Sequence, residues 1–245
     1  MPYLYKLAGG CIVSRNIRVF GLGESNMEAI LHDMMAESKN PTIAPYAKTS
    51  ECFARVTAKA DTPEECEKLL DPVVEKICGL LGEDVYGVDV DSLEQVVGDG
   101  LRARGMTLAV AESCTGGLLS KRITDVPGCS DYYLGGVCSY ANEVKMKVLG
   151  VQKETLDTVG AVSPEVAEQM AEGVARAPGA DVGVGITGVA GPGGGTDEKP
   201  VGLVYISVWH NGQHYTRKMK AANGRDRIRM QAASTALDLI RRNIF

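Results

Sequence analysis

The stretch Thr107 to Gly117, TLAVAESCTGG, is where residue types and spacing come nearest to chemistry. An apolar run stops at Glu112-Ser113 and a glycine pair opens the next segment, the pattern of a buried strand feeding a tight turn and then a helix. Such a junction gathers the Ser113 hydroxyl, the Cys114 thiol and the unpaired amides of a helix start at one point. A serine placed there is a nucleophile if a base lies within hydrogen-bond reach and donors await the oxyanion, which the amides of Cys114, Thr115 or Gly116 would supply. On the other reading Ser113 and Thr115 cap the helix, or the loop holds an anion. Neither GxSxG nor a phosphate loop ending in Gly-Lys-Ser/Thr is present, so no short motif decides between them. Cys114 has the one cysteine setting that would lower a thiol pKa, whereas Cys138 reads as a small buried hydrophobe.

The base is not a histidine. The chain has three, His32, His210 and His214, all remote in sequence from this stretch. A lysine whose pKa is lowered by burial is a physically sound substitute, and Lys145 closes the segment GGVCSYANEVK (Gly135 to Lys145) in which an apolar strand runs into Ser139, Tyr140 and Asn142. Tyr140 would orient or relay the proton. Taken alone, a lysine in a sequence ending NEVKMKVLG is usually a solvated helix residue. A third segment, TGVAGPGGGTDEKP from Thr187 to Pro200, is too rich in Gly and Pro for regular structure. Without Cβ atoms its backbone can approach a phosphate or sugar closely; otherwise it is a surface loop. Arg225, Arg227 and Arg229 follow on a helix start, either as a solvated face or as bidentate phosphate donors.

These groups need a scaffold that brings strand ends together, and the chain is able to build one. Of 245 residues, 44% are hydrophobic and 23% charged, which is ordinary for a globular protein. Net charge is −5, so the chain as a whole lacks the electrostatic footprint of a nucleic-acid binder. No apolar run reaches the roughly 18–20 residues of a bilayer span and no signal peptide opens the chain, which predicts a cytoplasmic protein. Seven cysteines occur with no CxxC pair; reduced thiols and no bound metal are expected.

Up to residue 90 the pattern is βαβαβ: a strand at Ile17–Phe20, a helix from Glu24 or Ser25 to Asn40-Pro41, a strand at Glu51–Ala60, a helix opened by Asp61-Thr62-Pro63 and closed by Gly82, and a strand at Val85–Val88. A boundary is expected near Asp89–Ser92, giving domains 1–90 and 91–245. Beyond it come a helix at Leu93–Arg104, the strand into Ser113, a helix from Gly117 to Thr124, a strand around Val137–Tyr140 and a helix from Ser163-Pro164-Glu165 to Ala175. Strands at Asp181–Ile186 and Gly202–Trp209 and a helix at Arg225–Arg242 complete the series. Strands alternating with helices, with glycines at the strand ends, imply a layered α/β fold with ligands at the strand tips. The chain starts inside strand-forming sequence, as the shortened form of a longer chain would.

Four ordered motifs carry a resemblance. AESCTGG, the run from Pro127 to Val151, GAVSPEVAEQMAEG (Gly160 to Gly173) and ITGVAGPGGGTDEKPVGLVYISV together resemble the C-terminal domain of CinA proteins over residues 92–245. RVFGLGES, NPTIAPYAK and the strand before ADTPEE are similar to the KH-like middle domain of that family, while the family's N-terminal molybdopterin-binding-like domain has no counterpart. The resemblance implies a three-layer α/β/α domain with a mixed, mostly parallel sheet, plus a small α+β KH-like domain. It implies an amidohydrolase that turns nicotinamide mononucleotide into nicotinate mononucleotide and ammonia with no cofactor or metal, acting as a homodimer. Carried over by motif, Ser113 is the nucleophile, Lys145 its base and Tyr140 a hydrogen-bonding partner of the pair. Cys114, Thr115, Gly116 and Asn142 line the pocket, and Thr187, Gly188, Gly191, Gly193 and Gly194 meet the ribose-phosphate half. The family's last helix usually opens Gly-Asp-Arg with a second arginine four positions on. Here Asn223-Gly224-Arg225 and Arg229 stand there, leaving both arginines as candidate phosphate ligands.

Nucleic acid is not an expected partner, because the single GxxG of the first domain, Gly79-Leu80-Leu81-Gly82, is apolar and sits at a helix end without basic residues. Nor is a membrane. The rival function is a non-catalytic, nucleotide-binding regulatory protein of the competence or damage-inducible kind; the presence of all three proposed catalytic residues argues for the enzyme.

Overall fold

A computed structural model describes residues 10–48, 51–222 and 224–245. The strand-forming start of the chain and Asn223 lie outside the described residues. The chain divides into two compact units, Met1–Asp91 and Ser92–Phe245.

In the first unit the strands β1 (Cys11–Val19), β2 (Thr42–Ala47), β3 (Cys52–Ala60) and β4 (Val85–Val88) form one antiparallel sheet in the order β2-β3-β1-β4. Helices α1 (Glu24–Glu37) and α2 (Pro63–Leu81) join the sheet in a core that includes Ile17, Val19, Leu31, Val56, Leu70 and Ile77. A capping box starts α2: the Thr62 hydroxyl accepts from the Glu65 amide and the Glu65 carboxylate accepts from the Thr62 amide, both at 3.2 Å. Two departures from the sequence pattern stand out. β1 begins at Cys11, six residues before the expected start, and β2 is an extra strand. Pro45 inside β2 argues against a central strand, and β2 indeed lies at the sheet edge, paired with β3 alone. Gly79, Leu80 and Leu81 are the last residues of α2, with Gly82 its C-cap.

The second unit is a three-layer α/β/α domain. Its sheet has the order β6-β5-β7-β8-β9, built from β5 (Leu108–Glu112), β6 (Tyr133–Cys138), β7 (Val182–Gly188), β8 (Leu203–His210) and β9 (Gln213–Lys220). β6, β5 and β7 are parallel, whereas β7–β8 and β8–β9 are antiparallel, so only β8 runs against the rest. Helices α3 (Leu93–Arg104), α4 (Leu118–Thr124) and α8 (Arg225–Ile244) make one layer; α5 (Asn142–Leu149), α6 (Lys153–Thr158) and α7 (Pro164–Arg176) make the other. β9 was not evident in the sequence because six residues in a row with polar groups, Gln213 to Lys218, hide the alternation. The turn before it was legible: Asn211-Gly212, both at positive φ, is the dipeptide of a two-residue hairpin. β6 ends at Cys138, leaving Ser139 and Tyr140 beyond the strand.

Helix α7 lies close on β7 because the strand offers glycines there. A Cβ at Gly183 would stand 2.0 Å from the Ala171 carbonyl oxygen, and one at Gly185 2.1 Å from that of Ala167. The registers Glu112 with Cys138 and Glu112 with Ile186 bring the C-terminal ends of β5, β6 and β7 to one edge of the sheet. His210 pairs with Val182 at the opposite edge.

Candidate active site

Ser113 follows the last residue of β5, and its amide donates to the Ile186 carbonyl at 2.9 Å, which pins the turn to β7. The turn ends at Gly116 and Gly117, both at positive φ, where an L side chain would be strained. Across β6, the Ser139 amide donates to the Glu112 carbonyl at 2.9 Å. The first turn of α5 then delivers Lys145, only 1% exposed, to the same place. Its Nζ lies 3.1 Å from Ser113 Oγ, 2.6 Å from the Ser139 carbonyl oxygen and 3.4 Å from that of Tyr140. Burial lowers the Lys145 pKa, the nearby Cys114 thiol opposing it weakly. The two residues read as nucleophile and base are thus in hydrogen-bond contact.

Cys114 sits beside them in a different state. Burial pushes its thiol up to about 11, so it is a neutral thiol at physiological pH rather than the activated thiolate a helix N-terminus would favour. The Gly116 amide is not available to an oxyanion, because it donates to the Ser113 carbonyl at 3.1 Å. The amides of Cys114 and Thr115 donate to no other residue among the described ones, the Cys114 amide meeting its own thiol, and they remain the donors of this turn.

A cavity of about 300 Å³ opens at Ser113 and Cys114. The Gly-rich loop forms much of its wall through Gly188, Gly191, Gly193 and Gly194, with Arg225 and Tyr140 completing it. The amides of Gly191, Gly193 and Gly194 likewise have no acceptor among the described residues. Arg225 donates Nη1 to the Gly191 carbonyl at 2.8 Å, which fixes the loop against α8 and leaves the rest of the guanidinium without a partner among the described residues.

Other expected site residues take parts different from those expected. Tyr140 touches the pair only through its carbonyl; its ring is 66% exposed and its hydroxyl has no hydrogen bond among the described residues. Asn142 is exposed at the start of α5 and is not part of the cavity wall. Thr187 is buried and spends its hydroxyl on the Ala161 carbonyl at 2.7 Å, tying β7 to the segment before α7. Thr115 is buried in the turn, outside the wall, with its carbonyl taken by Arg229 Nε at 3.1 Å and Nη2 at 2.6 Å. Arg229 therefore braces the nucleophile turn and does not line the cavity. Among the described residues, no group of three or more His, Cys, Asp or Glu is placed to hold a metal ion, all seven cysteines are free, and no helix is long and apolar enough to cross a membrane.

One participant was missed. Glu112 is fully buried, and its carboxylate accepts from the amides of Leu119 at 3.0 Å and Ser120 at 2.8 Å and from the Ser120 hydroxyl at 2.8 Å. It occupies the N-terminal end of α4 from the strand side, in a favourable position for a negative charge, and so holds the turn that carries Ser113. The signal was present: an acidic residue closing the otherwise apolar strand LAVAE must have a partner to be buried.

Comparison with known proteins places the chain in a family. A family model described as the CinA C-terminal domain matches residues 90–244, and one described as the damage-inducible protein CinA KH domain matches residues 14–87. A putative competence-damage inducible protein of Clostridium acetobutylicum is 49% identical over 244 residues, and a CinA-like protein of Dictyoglomus thermophilum is 48% identical over 244. Each alignment covers 100% of this chain but 59% of the relative, so the chain spans about three-fifths of their length. The crystal structure of the competence/damage inducible protein CihA from Agrobacterium tumefaciens is similar at a TM-score of 0.60 and 39% identity, covering 61% of this chain and 92% of that one. A competence-damaged protein (CinA) superfamily protein from Escherichia coli is similar at a TM-score of 0.59 and 34% identity, over 62% of this chain and 90% of that one. The chain belongs to the CinA family.

Proposed function

We propose that the chain is an amidohydrolase that converts nicotinamide mononucleotide to nicotinate mononucleotide and ammonia, with Ser113 as nucleophile and Lys145 as its base. The observation that carries the reading is the buried Lys145 Nζ, 3.1 Å from Ser113 Oγ at the wall of a cavity. As a neutral amine, Lys145 has two N–H bonds for the carbonyls of Ser139 and Tyr140, which turns its lone pair towards the Ser113 hydroxyl. The Ser113 proton passes to Nζ as Oγ bonds to the carboxamide carbon. The carbonyl π pair moves onto oxygen, where the amides of Cys114 and Thr115 are the available donors. The Lys145 ammonium then protonates the departing nitrogen, the C–N bond breaks and ammonia leaves. Water attacks the resulting ester, its proton goes to Lys145, and Ser113 is released with nicotinate mononucleotide.

For the other half of the substrate, Arg225 and the unpaired amides of Gly191, Gly193 and Gly194 offer a cradle suited to a phosphate. The compartment that goes with this reading is the cytoplasm, on the lack of a membrane-spanning run and a signal peptide in the sequence, and the assembly is a homodimer, on the family likeness. The test is ammonia release from nicotinamide mononucleotide, with nicotinamide riboside as the phosphate-free control. Ser113→Ala and Lys145→Ala are each expected to lower the rate by about 10³-fold or more with unchanged circular dichroism, and the riboside is expected to be a poor substrate. Binding of the mononucleotide without turnover by the unsubstituted chain would assign it a regulatory role instead, and full activity in Ser113→Ala would remove the nucleophile.

A further inference from the structure

The first turn of α8 holds both the Gly-rich loop and the nucleophile turn. Arg225 and Arg229 stand four residues apart, on one face of the helix. Arg225 donates to the Gly191 carbonyl at 2.8 Å, while Arg229 reaches the Thr115 carbonyl with Nε at 3.1 Å and Nη2 at 2.6 Å. Ile228 lies between them, 1% exposed, and seats the turn in the core. One side of this turn thus meets the amides suited to a phosphate, and the other meets the turn whose amides are left for an oxyanion.

Each hold is the main tether of what it grips. Among the described residues, the bond from Arg225 is the only hydrogen bond made by residues 190–195, and Gly191, Gly193, Gly194 and Gly195 give that stretch wide backbone freedom. The Thr115 hydroxyl is buried without a partner. Its carbonyl also accepts from the Leu118 amide at 3.3 Å, but Arg229 is the only side chain that bonds to Thr115 among the described residues. The remaining Arg229 nitrogen, Nη1, lies 3.8 Å from the exposed Asp226 carboxylate. A dianion seated on the loop amides would draw the partnerless donors of Arg225 and so fix the loop on α8. Arg229, on the same turn, would then hold Thr115 in one place, and with it the amides that must stand about 2.7–3.1 Å from an oxyanion.

We propose that the substrate's phosphate activates the chemistry at Ser113 through this turn of α8, with Arg225 as its contact and Arg229 as a positioning residue for the oxyanion donors. The inference rests on the reading of the chain as an amidohydrolase of nicotinamide mononucleotide. Binding energy from the remote phosphate goes into fixing the nucleophile turn, so the phosphate raises kcat as well as lowering KM. A phosphate that served only as an anchor would tighten binding and leave kcat unchanged.

Supplying the substrate in two pieces tests this. Ammonia release by the full chain is measured from nicotinamide riboside with and without inorganic phosphite, which brings the dianion separately, and from the mononucleotide alongside. Saturating phosphite is expected to raise kcat for the riboside about 5- to 150-fold, the usual range of coupling between two sites. Arg225→Ala should raise the phosphite concentration that gives half the effect. Arg229→Ala should abolish the activation and lower kcat for the mononucleotide by more than that for the riboside alone; Arg229→Lys, which keeps a donor for the Thr115 carbonyl, should restore part of both. Arg227→Ala, on the same turn but exposed and outside the cavity wall, should leave the activation unchanged. Thermal midpoints near that of the unsubstituted chain show that the variants are folded, and the phosphite effect on the unsubstituted chain stands without them. A chain that turns over the mononucleotide but whose riboside rate phosphite does not raise would overturn the coupling and leave the reaction standing. So would activation that persists in Arg229→Ala, equal loss on both substrates in that variant, or an unchanged phosphite requirement in Arg225→Ala. No ammonia from the mononucleotide would instead remove the reading, and this inference with it.

Discussion

At the scale of single residues, the chemistry turns on where a lysine is buried. An exposed Lys145 would be an ammonium at neutral pH and useless as a base, whereas burial favours the amine. The sign of the pH dependence follows. The amine is the active form, so kcat/KM falls as pH drops through the Lys145 pKa, and its acid limb should inflect below the ordinary lysine value of about 10.4. A profile flat across that limb, or one inflecting at the ordinary value, would show that Lys145 is not the base. Ser113 was legible in the sequence because an apolar strand ends there in a hydroxyl, a thiol and two glycines. Lys145 was legible only as a candidate, since nothing in NEVKMKVLG says which face of α5 is covered. The two arginines were indistinguishable in sequence, and the structure separates them: Arg225 reaches the Gly-rich loop, while Arg229 turns back to the Thr115 carbonyl.

At the scale of elements, the site exists because three parallel strands end together and α7 presses on one of them, β7. That contact has no slack. A Cβ at Gly185 would meet the Ala167 carbonyl oxygen at 2.1 Å and the Ala171 amide nitrogen at 2.7 Å, both backbone atoms that cannot rotate away. Gly185→Ala should therefore cost about 1–3 kcal/mol or more, read as a lower urea midpoint; an unchanged midpoint would mean that α7 is free to lift. Most helices were readable from capping signals, as at Thr62 and Ser163, and α3 has the bounds its periodicity predicts. The edge strands β2 and β9 were not. One carries a proline and the other a polar run, and both owe their conformation to pairing with a single neighbour rather than to their own sequences. Long-range partners of this kind leave little local trace.

At the scale of the molecule, the proposed reaction is confined to the second unit, and every residue assigned to it lies beyond Ser92. The first unit presents a cationic, aromatic sheet face. A chain spanning about three-fifths of the length of its relatives thus carries a complete serine and lysine pair of its own, and the central claim is that this pair forms a covalent intermediate. Rapid quenching of the full chain during turnover of nicotinamide mononucleotide, followed by peptide mapping, tests it most directly. The account predicts a nicotinate mononucleotide ester on Ser113, absent from Ser113→Ala. Turnover with the acyl group on Cys114, or with no acylated peptide and undiminished activity in Ser113→Ala, would contradict it.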